Sequence, residues 1–195
     1  MKKLLLLFFI LIQCTLLFGQ KPPLGIGFVY DTKSYEYHGR MMPKVYDNRE
    51  MTVESKNVEA YFYKPDYGLL HFSCIRITDS YYEIYIGENK KGYIPINDQF
   101  EFIELSEMLK NCSVKRISPN NNPILNEPDG NSKIRYSCSR EYLNVKEIKS
   151  IGNENWMNIY FSKDCDPMVT EEMDVTYGWI KWKNNSQLLV QIFPY

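Results

Sequence analysis

Alanine is nearly absent from this sequence, in which Ala60 stands alone. That scarcity removes the strongest helix former and disfavours a helical fold. Aromatic residues are instead abundant, at 15% of 195 residues, and 16 of them are tyrosines. Aromatic side chains pack well on the half-buried surface of a β-sheet. With 44% hydrophobic and 24% charged residues, the composition excludes extensive disorder. We therefore predict an all-β fold.

Histidine occurs only at positions 38 and 71, which leaves few candidates for catalysis or metal binding. His71 and Cys74 lie at an odd spacing on a predicted strand, so their side chains point to opposite faces. No CxxC or paired-histidine spacing indicates zinc. A calcium site is conceivable in one acidic cluster, but the cluster lacks the alternating pattern and glycine of a calcium loop and is interpreted as a solvated hairpin tip: Asp164, Asp166, Glu171, Glu172 and Asp174. We expect a non-enzymatic protein with no cofactor, metal or catalytic residue.

Clustered basic residues are also missing. The 23 Lys and Arg residues are scattered among 24 Asp and Glu, which gives a formal charge of -1. Loss of Lys2 and Lys3 with a leader peptide would leave 21 basic against 24 acidic residues, a charge of -3. Nucleic-acid binding needs clustered cations that displace counterions from phosphates. We therefore expect no nucleic-acid partner.

The N-terminus has the pattern of a secretory signal peptide over residues 1–19. Lys2 and Lys3 precede an apolar run that starts at Leu4, and Gly19 offers a small residue at a cleavage point. The run of about 16 residues is shorter than the roughly 20 that span a membrane, although an uncleaved anchor is the alternative. Lipidation at Cys14 is disfavoured because the large Gln13 precedes it. The pattern predicts an exported protein, periplasmic or secreted, with no transmembrane segment in the mature chain.

Four cysteines remain after the leader, at positions 74, 112, 138 and 165. An even number in an oxidising compartment indicates disulfide bonds, and four cysteines allow three connectivities. We favour Cys74 with Cys112 and Cys138 with Cys165, which would place one bond in each of two small domains.

Short β-rich runs separated by turn residues begin near residue 58. Residues 20–57 form a polar N-terminal extension with one strand-like run, Gly25 to Tyr30. Phe100 to Leu109 is a modest helical candidate that could connect two domains. The predicted strands are Ala60 to Tyr63, Leu69 to Thr78, Tyr81 to Ile86 and Gly92 to Ile96.

Three sequence blocks recur in the same order, which indicates an internal duplication. Phe72-Ser73-Cys74 corresponds to Tyr136-Ser137-Cys138, and in each case a Pro-Asp turn lies upstream. Tyr81 to Ile86 corresponds to Trp156 to Phe161. Gly92-Tyr93-Ile94 corresponds to Gly178-Trp179-Ile180. The second copy differs by longer loops at 139–152 and 162–176, where changes in length cost little.

The second copy resembles the bacterial SH3-like domain family, a five-stranded partly open barrel. Asn122 to Pro128 is similar to the opening of that family's pattern, Trp156 to Ile159 to its central strand, and Gly178 to Ile180 to its closing strand. The first copy is similar, with Tyr81 in place of the family's Trp. The resemblance implies two small SH3-like barrels in tandem after the signal peptide, at 58–109 and 112–195.

The resemblance also implies a function in binding. In peptide-binding SH3 domains, Tyr and Trp rings form slots for a polyproline helix. We expect the ligand to be a peptide or a peptidoglycan peptide, bound in aromatic grooves. Alternatively, the chain is an inhibitor or interaction protein that binds a protein partner through the long loops of the second module. Trp156 and Trp179 could instead pack inside the barrel. The candidate binding residues are Tyr61, Tyr63, Tyr81, Tyr93, Pro95, Trp156 and Trp179.

Overall fold

Strands account for 47% of the chain and helices for 6% in the computed structural model, which describes residues 22–33, 42–136, 138–185 and 187–194. The strands form two sheets, one of which is curled into a half-barrel. The all-β prediction is therefore confirmed. The predicted signal peptide, residues 1–19, lies outside the described residues.

The first sheet has six strands in the order β5-β4-β3-β1-β6, with β2 paired to β3. A 3-10 turn at Pro65–Tyr67 connects β2 to β3 and ends at Gly68, whose φ of 64° suits glycine. The strands are β1 (Gly27–Asp31), β2 (Phe62–Lys64), β3 (Leu69–Ile77), β4 (Tyr81–Tyr85), β5 (Lys91–Pro95) and β6 (Phe100–Glu104).

The second sheet has eight strands in the order β14-β7-β10-β11-β12-β8-β9, with β13 paired to β12. The helix α1 (Leu105–Lys110) precedes it in the chain. The strands are β7 (Cys112–Arg116), β8 (Ile124–Leu125), β9 (Lys133–Ile134), β10 (Leu143–Ile151), β11 (Glu154–Phe161), β12 (Thr176–Asn184), β13 (Gln187–Leu188) and β14 (Val190–Pro194).

Two elements differ from the prediction. The strand-like run at Gly25 to Tyr30 is not part of a separate extension, because β1 lies between β3 and β6 within the first sheet. The predicted helix at Phe100 to Leu109 is half strand, since β6 occupies Phe100–Glu104 and only the rest is helical. Backbone groups flanking β1 explain this. Thr32 N donates to Gln99 O at 2.9 Å and Leu105 N donates to Ile26 O at 3.2 Å, so pairing with β1 overrides the local helical preference.

The described chain divides into two compact units. The first comprises residues 22–25 and 29–101, and the second comprises residues 26–28 and 102–194, in both cases without the undescribed positions. The first unit therefore begins well before residue 58, the start that the sequence suggested. Each unit has its own core, which includes the fully buried Phe72 and Ile84 in the first and Met157 and Ile180 in the second.

Five strands have the same order in both sheets. The first sheet runs β6-β1-β3-β4-β5 and the second contains β14-β7-β10-β11-β12, so the last of these five strands in sequence lies beside the first in each case. A bulge also interrupts the pairing of the corresponding two strands in each sheet, β3 with β4 and β10 with β11. The register shifts between Cys74 and Arg76 in the first sheet and between Val145 and Glu147 in the second.

The register also matches residue by residue where two of the predicted sequence blocks lie. Ile84 pairs with Gly92, and Ile159 pairs with Gly178. Both glycines are close to a neighbour: an added Cβ would lie 2.7 Å from a methyl of Val45 at position 92 and 2.4 Å from Ile124 Cγ2 at position 178. The first predicted block does not match.

The residue opposite Ile159 on the preceding strand is Val145, whereas Cys74 lies opposite Ile84. Cys138 therefore does not occupy the position of Cys74, and neither Tyr136 nor Cys138 is part of a strand. The predicted loop at 139–152 is wrong for the same reason, because β10 occupies Leu143–Ile151 within it.

One of the two predicted disulfide bonds is present. Cys138 and Cys165 are bonded. The predicted bond between Cys74 and Cys112 is wrong, because both are free and fully buried. The Cys74 thiol contacts the carbonyl of Arg76 at 3.6 Å, and the Cys112 thiol contacts that of Met108 at 3.2 Å. Burial raises the pKa of each thiol to about 12, so both stay protonated at neutral pH.

The pH dependence of the first unit should depend on His71. Burial lowers the pKa of His71 to about 4, against about 6.5 in an unfolded chain. The imidazole is therefore neutral in the folded state. Its contribution to stability is complete above pH 6.5 and is lost as the pH falls through 4, by roughly 2–3 kcal/mol.

Urea unfolding of the wild type and of His71→Phe at pH 7 and pH 4 would measure this loss. We expect the variant to be less sensitive to acid than the wild type, because it has no imidazole to protonate. An equal loss of stability in both proteins would contradict the assignment and place the acid sensitivity elsewhere.

Candidate functional site

The face of β11 and β12 opposite the core carries four aromatic residues, Trp156, Tyr160, Tyr177 and Trp179. Side chains alternate along a strand, so Met157 and Ile180 enter the core while their neighbours face the other way. Trp156 lies opposite Lys181 in the antiparallel pairing, and Tyr160 lies opposite Tyr177. This face therefore combines aromatic rings with lysine side chains.

A cavity of about 360 Å³ opens against this face at Trp156. The strands β8 and β9 and the segments that flank them form its other wall. The lining residues are Asn121, Asn122, Pro123, Leu125, Asp129, Gly130, Asn131, Lys133, Trp156 and Lys181.

The side chain of Asn122 fixes this wall to β12. Its Nδ2 donates to the carbonyl of Lys181 at 2.6 Å, and Lys181 N donates to its Oδ1 at 3.1 Å. The carbonyl of Asn122 accepts from Arg116 Nη1 at 2.8 Å, and Arg116 forms a buried ion pair with Glu141. The cavity wall is thus held by hydrogen bonds to β12 and β7.

Two carboxyl groups and one ammonium group meet beside the cavity. Lys181 forms an ion pair with Glu154, and the Asp129 carboxyl lies close enough to Glu154 for its pKa to be affected. The hydrogen bond and ion pair with Lys181 hold the pKa of Glu154 below its usual value. Hydrogen bonding and charge repulsion from the Glu154 carboxyl raise the pKa of Asp129.

Trp156 forms an aromatic wall of this site. Its side chain is 1% exposed, and Lys181 Nζ lies 5.1 Å from the ring centroid, within cation–π range. Among the described residues, its indole nitrogen has no hydrogen-bond partner of ordinary geometry. It lies near enough to the Glu154 carboxylate to help lower the pKa of that group. A buried N–H donor thus remains incompletely satisfied at the cavity.

Lysines also cover the aromatic rings farther along the same face. Lys149 Nζ lies 5.4 Å from the Trp179 ring centroid, and Lys146 Nζ lies 4.6 Å from that of Tyr177. Lys146 forms an ion pair with Glu171 at 2.7 Å. The Trp179 ring is therefore not in the cavity but beside it on β12.

In the first unit, three of the predicted binding residues lie together. Tyr81 lies opposite Pro95 in the register of β4 and β5, and the rings of Tyr81 and Tyr93 make an edge-to-face contact at 5.3 Å. Arg49 donates a hydrogen bond to Tyr93, which raises the pKa of the guanidinium. Glu83, on the same face, accepts bonds from Arg76 and Lys91. This cluster is a partly exposed aromatic surface bordered by cations.

The remaining predicted tyrosines do not join that surface. Tyr61, one of the candidate binding residues, is 5% exposed and packs edge-on against Phe62 at 4.8 Å. Burial raises the pKa of Tyr61 to about 12. Tyr63, on β2, is 46% exposed.

Sequence reasoning missed the charged residues of the cavity, Asp129, Lys133, Glu154 and Lys181. One local signal was available for Asp129, because an Asp-Gly pair such as Asp129-Gly130 is typical of a turn. In the structure Asp129 has a φ of 59°. Within the described ranges there is no cluster of three or more metal-ligating side chains. No helix in that part of the chain is both long and apolar enough to span a membrane. Comparisons with protein-family models, with curated proteins and with solved structures gave no match.

Proposed function

We propose that this chain is an exported, non-enzymatic protein of two SH3-like modules that binds peptide, including cell-wall peptide, chiefly in the cavity beside Trp156. The observation that carries the proposal is that cavity, which combines an aromatic wall with charged groups of both signs. Such a lining is typical of sites that orient a small polar ligand.

The strand order supports the assignment of two modules. Five strands in each sheet are arranged with the last beside the first, as in a five-stranded partly open barrel, and they share pairing register and a bulge. A duplication of one ancestral module accounts for these common features. The bond between Cys138 and Cys165 is compatible with export, because disulfides persist in oxidising compartments.

The arrangement of the two carboxyls favours binding over hydrolysis. Glycosidases place their two carboxyls about 5–9.5 Å apart so that the scissile bond fits between them. The carboxyls of Asp129 and Glu154 are instead close enough to affect each other's pKa, and Lys181 forms an ion pair with Glu154. This geometry suits the recognition of a charged group more than proton transfer to a glycosidic bond.

Co-sedimentation with isolated peptidoglycan would test the proposal, with Trp156→Phe as the site variant and Trp182→Phe as the matched control. Trp182 is also buried but does not line the cavity. We expect the wild type and the control to be retained and Trp156→Phe to bind at least about tenfold more weakly, since aromatic anchors dominate such contacts. Failure of the wild type to be retained would contradict the proposal. Tyr81→Ala would report on the first module.

A second candidate function is favoured by the loop between β11 and β12. Cys165 ties this loop to Cys138, and Val169 is buried, yet Met168 is 78% and Met173 is 52% exposed. Exposed methionines on an anchored loop are suited to protein contacts. A protein partner whose affinity falls on Met168→Ser but not on Trp156→Phe would favour an interaction or inhibitor protein.

A further inference from the structure

The charged groups of the cavity beside Trp156 indicate the chemistry of its ligand. Asp129 and Glu154 supply two carboxyls, but within the described ranges only one ammonium group, that of Lys181, is paired with them. The neighbouring Glu154 carboxyl raises the pKa of Asp129. Asp129 lines the cavity. A ligand ammonium placed beside Asp129 would supply the second positive charge that the two carboxyls lack.

The cavity lining also carries a positive charge that forms no ion pair within the described part of the protein. Lys133 lines it, and among the described residues no ion pair involves Lys133. The indole N–H of Trp156, buried and without a partner of ordinary geometry, is a second donor on this lining. The Lys133 ammonium and the Trp156 N–H can each donate a hydrogen bond to an acceptor oxygen of a ligand. The same cavity thus presents an acceptor for a cation and donors for an anion.

Lys181 shows that the aromatic wall accepts an ammonium group. Its Nζ pairs with Glu154 and lies 5.1 Å from the Trp156 ring centroid. A second ammonium beside Asp129 would meet a similar combination of carboxylate and ring. The volume of about 360 Å³ lies at the small end of ligand sites, which suits one or two residues and not an extended chain.

We infer that this cavity takes a zwitterionic amino-acid or dipeptide end, with the ligand ammonium on Asp129 and the ligand carboxylate on Lys133 and the Trp156 N–H. The inference rests on the proposed function of the site and names the class of ligand that it selects.

Calorimetric titration of the full mature protein with three probes would test this inference. The probes are Ala-Ala, which is zwitterionic, N-acetyl-Ala-Ala, which lacks the ammonium, and Ala-Ala-amide, which lacks the carboxylate. We expect Ala-Ala to bind at least about tenfold more tightly than either blocked probe, because hydrogen bonds to charged groups contribute strongly.

Two variants assign each end of the probe. Asp129→Asn should abolish the preference for Ala-Ala over its N-acetyl form and leave the preference over the amide. Lys133→Ala should do the reverse. Asp164→Asn and Lys163→Ala make the same chemical changes on exposed residues of the loop between β11 and β12, and both should behave as the wild type.

Equal binding of all three probes by the wild type would overturn the inference. Binding of soluble peptidoglycan fragments without any preference among the probes would overturn it as well, while the proposed function would stand. A wild type that binds neither the probes nor the fragments would overturn both.

Discussion

Substitution of Glu141 by alanine is expected to lower the free energy of unfolding of the second unit by about 3–5 kcal/mol. The side chains of Arg116 and Glu141 form an ion pair in which they are only 8% and 7% exposed. Removal of the carboxylate leaves the guanidinium buried without its counter-charge, which costs far more than the pair contributes. Urea unfolding followed by tryptophan fluorescence would measure the change.

Two comparisons make this prediction specific to burial. Glu107→Ala breaks the ion pair with Lys110, whose partners are 57% and 47% exposed, and should change stability by no more than about 0.5–1 kcal/mol. Replacement of both partners, as Arg116→Met with Glu141→Leu, should recover much of the loss because no charge remains buried. If Glu141→Ala costs no more than Glu107→Ala, the pair is not buried in solution.

The substitution Glu141→Ala should also affect the candidate site, because Arg116 contacts the cavity wall. Arg116 also donates to the carbonyl of Asn122, and Asn122 fixes the cavity wall to Lys181. An Arg116 side chain that moves toward solvent would release this wall. Variants that remain folded should therefore bind peptide more weakly, although neither Arg116 nor Glu141 lines the cavity.

The parts of the fold that the sequence predicted are those with local signals. The strands β4 and β11 are rich in aromatic residues and isoleucine, and the glycines at 92 and 178 mark where a neighbouring side chain comes close. Such patterns need only a few consecutive residues. The strand β1 was predicted from a run of suitable residues, but its place between β3 and β6 depends on partners that are distant in the sequence.

The candidate site could be predicted only in part, for a related reason. Trp156 stood out by residue type, whereas Asp129 and Lys181 contact Glu154 across 25 and 27 positions of the chain. A charged residue in a loop and one on a strand look like ordinary surface residues until the fold brings them together. The burial of Tyr61 likewise depends on packing that composition does not encode.

The pairing of the cysteines could also be predicted only in part from the sequence, and the bond that is present should contribute strongly to stability. Their even number predicted two bonds, but the thiols of Cys74 and Cys112 are buried in the core and free. The remaining bond closes a loop across a sequence separation of 27. Constraint of the unfolded chain over that length stabilises the fold by about 3–4 kcal/mol.

The double substitution Cys138→Ser with Cys165→Ser is therefore expected to destabilise the second unit by about 3–4 kcal/mol, measured by urea unfolding. Reduction of the wild type should give a similar loss, and the variant should not respond to reductant. Peptide binding should persist in the folded variant, since neither cysteine lines the cavity.

Alkylation of the protein from residue 20 onward provides the corresponding chemical test. Without reductant, we expect two labels, on Cys74 and Cys112, and only after unfolding, because burial and a pKa of about 12 suppress the reactive thiolate. Four labels without reductant would show that no disulfide forms. The absence of any label after unfolding would show that the two core cysteines are bonded after all, and their free state in the folded chain would then be wrong.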